Sequence, residues 1–397
     1  MDIEARIRRR QRRSGEPSIV KDYDALSPVV HVEAPSGRGP VLEQLLDHLD
    51  PIFERSLPPT AYVWGDGGVG KSAVVTALFD HLDRLLTGTG GVIHTTTRAR
   101  STPAPDFVYV DARVDDSEFA LYHTVLDALV EEQVPKQGVR TDSLRSRLIQ
   151  RLSGSDRAVV AVDHVDEFDT LGLSTLHGAF DGMDGRLSWI AVGRTPPEEL
   201  SSELLPPEHI HVPPYQQHAL VDLLTGRASD GLARQAFDHE QIRRIAEWAK
   251  GDAHDALTAL FGAAEVATRE SHERITERDL EAGLDAVPRP TVALGRVLTL
   301  PENRQLVLRT LVDLPEEATT TVGDAAASVA AAPGIDLSPS TVKRYLYELA
   351  EEGITERVTA ERDAESAGRP PSRLEPRFPT LVFSRLYELQ HESDSRT

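Results

Sequence analysis

Five short apolar runs mark the first half of the chain, at residues 61–64, 107–110, 158–162, 189–192 and 210–212. Between them apolar residues recur at helical spacing: Val74, Val75, Leu78, Leu82 and Leu85 share one face, as do Phe119, Tyr122, Leu126 and Leu129. Strand-period and helix-period segments in alternation predict an α/β fold over about residues 25–212, a parallel sheet covered by helices. After "VPPY" at 212–215 only helix-period segments follow, at 219–224, 241–249, 255–267 and 277–284, which predicts a separate helical domain over 213–290. The two prolines of "VPRP" at 287–290 end it. The last stretch, 296–392, predicts three short helices, at 305–314, 322–330 and 337–354, and a hairpin-like tail.

Composition narrows the function classes. Cysteine is absent from all 397 residues, which removes disulfides, thiolate metal sites and cysteine nucleophiles. No apolar run approaches the roughly 20 residues that span a bilayer, so the expectation is a soluble, cytoplasmic protein with no membrane partner. The net charge of −21 comes with five lysines, at positions 21, 71, 136, 250 and 343, against 38 arginines. Acidity with scarce lysine predicts a salt-rich cytoplasm; a GC-rich coding bias toward arginine yields the same inventory. Residues 1–24 form a basic tail holding Arg6, Arg8, Arg9, Arg10, Arg12 and Arg13.

The chemistry starts at "WGDGGVGKS", residues 64–72. It fits G-x-x-x-x-G-K-[ST] at Gly65, Gly70, Lys71 and Ser72, with a strand before it and an amphipathic helix after it. Glycines let this backbone curl so that the amides from Gly65 through Asp66, Gly67, Gly68, Val69 and Gly70 face phosphate oxygens. Lys71 then neutralises the β- and γ-phosphates and Ser72 ligates Mg2+, so the loop predicts ATP or ADP as cofactor. By contrast "TGTGG" at 87–91 follows a helix and reads as a connection. Asp163 ends the third apolar run at the sheet's carboxyl edge and is the expected outer-shell magnesium ligand. A hydrolytic site usually has glutamate next; here it is His164. Moving the acidic pair to Asp166 and Glu167 places it about a helical turn beyond the strand. His209 and His211 share a strand face but lack a third ligand at a familiar spacing, so no metal site is expected there.

Residues 337–354, "LSPSTVKRYLYELAEEGI", have the form of a recognition helix, with Ser338 as cap, Pro339 in the first turn and Gly353 as terminator. Val342, Tyr345, Leu346 and Leu349 fall on the core face, leaving Ser340, Lys343, Arg344 and Tyr347 toward DNA. "AGRPPSRLEPRF", 367–378, fits a wing tip carrying Arg369, Arg373 and Arg377, a segment suited to a narrow minor groove. The same residues suit a protein-contact module if these arginines pair with Glu365 and Glu375.

Taken in order, the phosphate loop, "VVAVDHVDEF", "WIAVGRTP", "HIHVPPY", "GDAHDAL" and the C-terminal pattern resemble the archaeal origin-recognition initiators of the Orc/Cdc-six type. The resemblance implies an AAA+ nucleotide-binding domain, a helical lid and a C-terminal winged-helix domain. It implies double-stranded DNA as partner, with other initiator subunits or the replicative helicase, and a nucleoid-associated location. Against the family pattern, His164 stands at the catalytic glutamate, Arg194 (or its neighbour Thr195) at the sensor asparagine and His254 at the second-sensor arginine. Residues 196–208 hold no arginine to act as a finger. These departures predict nucleotide binding with little hydrolysis. Two other readings stay open: a nucleotide-gated transcription regulator, and a scaffold that modulates an active initiator.

Overall fold

The structure is a computed structural model that describes residues 19–88, 104–153, 156–359 and 372–394. Contacts divide the chain into two compact units, residues 31–219 and residues 1–30 with 220–397.

The first unit is built on five parallel strands: β1 (Ala61–Trp64), β2 (Asp106–Asp111), β3 (Ala158–Asp163), β4 (Leu187–Gly193) and β5 (Glu208–His211). They lie in the order β2-β3-β4-β1-β5. The apolar runs read from sequence fall in all five, although Val212 lies one residue past β5, and β3 and β4 are buried along their whole length, as a sheet covered on both faces requires. Side-chain alternation divides the core in two. Tyr62, Val108, Val110, Val160 and Val162 face Leu121, Leu126, Leu144, Leu148 and Leu176, from helices Glu118–Leu129, Thr141–Arg151 and Leu173–Phe180. Val63, Val159, Ala161, Ile190 and Val192 face Val41, Leu45, Val74 and Leu78, from helices Gly39–Leu49 and Lys71–Gly88. Leu85, expected on this buried face, is 67% exposed. Leu82 and Leu86, four residues apart, pack against this core and leave Leu85 on the flank of the helix.

Register places the chemistry. Trp64 pairs with Gly193, and Asp163 pairs with both Asp111 and Val192. The residues that follow β1, β3 and β4 therefore emerge side by side at the carboxyl edge, where ligands of parallel α/β sheets sit.

The second unit centres on helix Ala253–Arg269, most of whose residues are buried. Gly283 allows helix Glu277–Asp285 to approach it closely: a Cβ there would lie 2.6 Å from the Ala259 carbonyl oxygen. Part of the segment expected to be a tail is packed here. Ile19 and Val20 are buried, Val20 bridges Leu232, and Leu26 of helix Tyr23–Leu26 occupies the space a side chain at Gly231 would need. The arginine cluster at 6–13 lies outside the described residues, as does most of "TGTGG".

The C-terminal part has helices Glu302–Asp313, Val322–Ala330 and Pro339–Glu351, then an antiparallel hairpin of β6 (Thr355–Thr359) and β7 (Ser372–Pro376). That is the order of elements in a winged helix, packed on Val307, Leu311, Val329, Val342 and Leu346. Tyr345, expected in this core, is only half-buried against it. Two helices were not anticipated, Leu294–Leu298 and the long closing Thr380–Asp394, where a hairpin-like tail was expected. The closing helix buries Val382, Phe383 and Leu386; its aromatic and β-branched residues carry a weak helical signal, which packing overrides.

Candidate functional site

The phosphate loop spans the six residues between β1 and helix Lys71–Gly88. Gly68 and Gly70 have φ of 66° and 80°, the left-handed region that favours glycine. A Cβ at Gly65 would meet the Val212 carbonyl oxygen at 2.3 Å, and one at Gly70 the Tyr215 hydroxyl at 2.9 Å. These glycines are required by conformation or space, and the result is a cradle of backbone amides fit for phosphate. Lys71 is buried, and its Nζ donates to the carbonyls of Gly65 and Asp66 at 2.7 Å each. Burial, reinforced by the Arg194 charge, pushes its ammonium down to about 8 despite the opposing Asp163, Asp166 and Asp66. Ser72 follows in the helix's first turn.

Asp163 is 1% exposed and held on both oxygens: the Tyr109 hydroxyl donates to Oδ2 and the His164 amide to Oδ1, at 2.7 Å each. Burial beside Asp163 pushes the Tyr109 hydroxyl far above its ordinary range, so it remains a donor. Each Asp163 oxygen keeps further acceptor capacity, so Ser72 and Asp163 fit a magnesium ion. His164 stands at the position where a glutamate is usual. Its backbone is left-handed, φ 64°, and its ring lies between two carboxylates, Nδ1 3.1 Å from Glu167 Oε1 and Nε2 3.7 Å from Asp163 Oδ2.

The next acids along the chain, Asp166 and Glu167, are also engaged. Asp166 Oδ2 accepts from the Arg194 amide (2.6 Å), the Thr195 amide (2.5 Å) and the Thr195 hydroxyl (2.7 Å), which caps the loop leaving β4. Glu167 is almost fully buried and accepts from Arg194 Nη2 at 2.9 Å. Burial alone would raise its pKa; His164 and Arg194 overcome that and hold it at about 2.

Two residues were not singled out from sequence. Arg38 is 4% exposed, its guanidinium carbon lies 3.4 Å from the Tyr215 ring centroid, and its Nε and Nη2 lack hydrogen-bond partners among the described residues. A buried cation with unfilled donors is costly unless something accepts from it. It sits beside the loop, Nε 3.6 Å from where a Cβ at Gly70 would be. No sequence motif marks Arg38; Tyr215 was visible only as part of "VPPY".

His254 lies in the second unit, in the first turn of helix Ala253–Arg269. Its Nε2 accepts from the Leu294 amide at 3.0 Å, so its proton sits on Nδ1, 3.6 Å from Asp255 Oδ1. Asp252, His254 and Asp255 have ligand atoms within 4.8 Å of one another, but Asp252 caps the helix and the imidazole offers a proton, not a lone pair, toward Asp255. His209 and His211 are exposed on the edge strand β5, where His211 stacks on Trp64 at 4.2 Å.

In the C-terminal module Ser338 caps its helix by accepting from the Thr341 amide, and Ser340, Lys343 and Arg344 are exposed. Tyr347, expected on the DNA side, is instead half-buried against the module's core, with Arg357 5.0 Å from its ring. Arg373 donates through Nε and Nη2 to Glu375 Oε1 at 3.0 and 2.5 Å, the pairing that a protein-contact module would use. Arg369 and Glu365 lie outside the described residues.

A phosphate loop after β1, which lies between β4 and β5, a carboxylate closing β3 and this strand order define an AAA+ ATPase fold. The family model described as an AAA ATPase domain matches residues 35–190, and that of the Cdc6 AAA+ ATPase-type lid domain matches 221–284. These two matches and the relatives that follow make the chain similar to the archaeal Orc/Cdc6 proteins. It is 28% identical over 327 residues to the ORC1-type DNA replication protein 1 of Sulfolobus acidocaldarius, covering 77% of each. Among solved structures it is similar to the Aeropyrum pernix ORC1 protein in complex with DNA, with a TM-score of 0.62 at 20% identity over 97% of this chain and 100% of that one. It is also similar to Cdc6p from Pyrobaculum aerophilum, with a TM-score of 0.54 at 21% identity over 94% and 100%.

Proposed function

We propose that this protein is a replication-initiator-like DNA-binding protein that holds ATP or ADP and turns it over little. The observation that carries the reading is the state of the acids after Asp163. The usual glutamate position is His164, lodged between Asp163 and Glu167, while Glu167 is tied to His164 and Arg194 and Asp166 caps the β4 loop. Each of these acids is tied through one oxygen to residues around β3 and β4, and neither stands at the usual glutamate position. Phosphoryl transfer is mostly positioning plus charge stabilisation, so a site lacking its base and its finger binds without rapid turnover.

The parts for binding are present. The loop amides and Lys71 meet the phosphates, Ser72 and Asp163 would hold Mg2+, and the unfilled donors of Arg38 suit acceptors of the nucleotide beside Gly70. Bound magnesium would neutralise phosphate charge. For DNA, the exposed Ser340, Lys343 and Arg344 form the presenting face of a helix of the groove-reading type. The Aeropyrum pernix relative was solved in complex with DNA, which supports the same role here.

Nucleotide content and turnover of purified protein in molar potassium chloride test the reading. The expected result is stoichiometric nucleotide, slow hydrolysis, and loss of nucleotide in Lys71→Ala. Hydrolysis at the rates of active AAA+ enzymes, or unchanged nucleotide content in the variant, would contradict it.

A further inference from the structure

We infer that His164 Nε2 is a ligand of the divalent ion that accompanies the nucleotide, so that this site favours a first-row transition ion over magnesium. The inference rests on the nucleotide reading above and names the metal chemistry of that site.

Three observations carry it. The first is the proton on the ring. His164 Nδ1 lies 3.1 Å from Glu167 Oε1, and the same oxygen accepts from Arg194 Nη2 at 2.9 Å. A carboxylate held against a guanidinium has no proton to give, so Nδ1 is the donor and the neutral ring carries its lone pair on Nε2. Metal-binding imidazoles are oriented in this way: the far N–H goes to a carboxylate, which fixes both the tautomer and the plane of the ring.

The second is what the lone pair faces. Nε2 makes no hydrogen bond among the described residues, and Asp163 Oδ2 lies 3.7 Å from it. Two acceptors thus face each other with no donor between them. Ligand bonds of about 2.1 Å from each atom span that gap to a single ion. The Tyr109 hydroxyl donates to Oδ2 at 2.7 Å, which leaves that oxygen a lone pair for metal. The His164 amide donates to Asp163 Oδ1 at 2.7 Å, so the two residues are held to each other as well.

The third is the donor set. Asp111, in register with Asp163, gives both its oxygens to Arg113, at 2.9 and 2.6 Å. Asp166 is committed to the β4 loop. Asp163, His164 and Ser72 then make a mixed set of oxygen and nitrogen donors, with phosphate oxygens to complete the shell. Magnesium takes oxygen and dehydrates reluctantly, whereas first-row transition ions accept imidazole. A glutamate at position 164 would have kept the set all-oxygen.

Electron spin echo spectroscopy of the full-length protein with Mn2+ and ATP tests the assignment, in protein labelled with 15N only at histidine. The spectrum should carry modulation from histidine nitrogen bonded to manganese, and His164→Gln should abolish it. In calorimetric titrations with ATP present, the preference for Mn2+ over Mg2+ should fall on the order of 10-fold in His164→Ala. A manganese–nucleotide complex of the wild type with no histidine modulation overturns the inference alone, and needs no variant to fold. An unchanged metal preference in His164→Ala also overturns it. A wild type that binds no nucleotide with either ion overturns the nucleotide reading and this inference with it.

Discussion

Glu167 shows how one buried side chain acquires its role from neighbours distant in sequence. Burial disfavours its charge, yet His164 and Arg194 hold it at about 2, below the ordinary 4.5. A carboxylate depressed in this way adds stability that is fully present above pH 4.5 and disappears as pH falls toward 2. Glu167→Gln should therefore be less stable than wild type by roughly 2 kcal/mol at pH 6 in denaturant titrations, a gap that narrows as pH falls to 3. A gap independent of pH would show that the native Glu167 is not held charged. At the same scale, His164 and Asp163 were legible from the strand pattern, whereas Arg38 was not. Its significance lies in being buried with open donors, a property of surroundings that no local motif encodes.

Among elements, the strands read best, because a covered parallel strand is a short unbroken apolar run whose edges are hard to miss. The closing helix Thr380–Asp394 read worst, since short runs of aromatic and β-branched residues satisfy either period. The helix Pro339–Glu351 is the element whose reading has the most direct consequence. Lys343 and Arg344 are exposed on it, with Arg344 only loosely associated with Glu348, at 3.7 Å. Each should contact phosphate, so Lys343→Ala and Arg344→Ala should each weaken DNA binding across all sequences. Each should also reduce the slope of log affinity against log salt by about one unit, measured by fluorescence anisotropy over a potassium chloride series. Unchanged slopes in both would favour the protein-contact use of the module, the reading in which Arg373 pairs with Glu375.

For the whole molecule the governing quantity is the net charge of −21. Like charges repel across a compact surface until salt shortens their reach, from about 10 Å at 0.1 M to about 3 Å at 1 M. Thermal unfolding should shift to higher temperature between 0.1 and 2 M potassium chloride if acidity is an adaptation to salt. An unchanged midpoint would assign the arginine-rich inventory to coding bias. Among the described residues no helix is long and apolar enough to cross a membrane.

Sequence by itself determined what depends on near neighbours: five strands, the amphipathic helices, the glycine-bent loop ending in Lys71 and Ser72, the Ser338 cap and the placement of Asp163 at a strand end. Tertiary structure alone decided what depends on register and burial. Arg194 meets Glu167 across 27 residues because β3 and β4 pair where they do, and that meeting turns an apparent spare acid into a tethered one. Arg38 meets Tyr215 for a similar reason. Periodicity and spacing report a chain's local preferences, whereas the charge state and partner of a buried group are set by whatever the fold brings within a few ångströms of it.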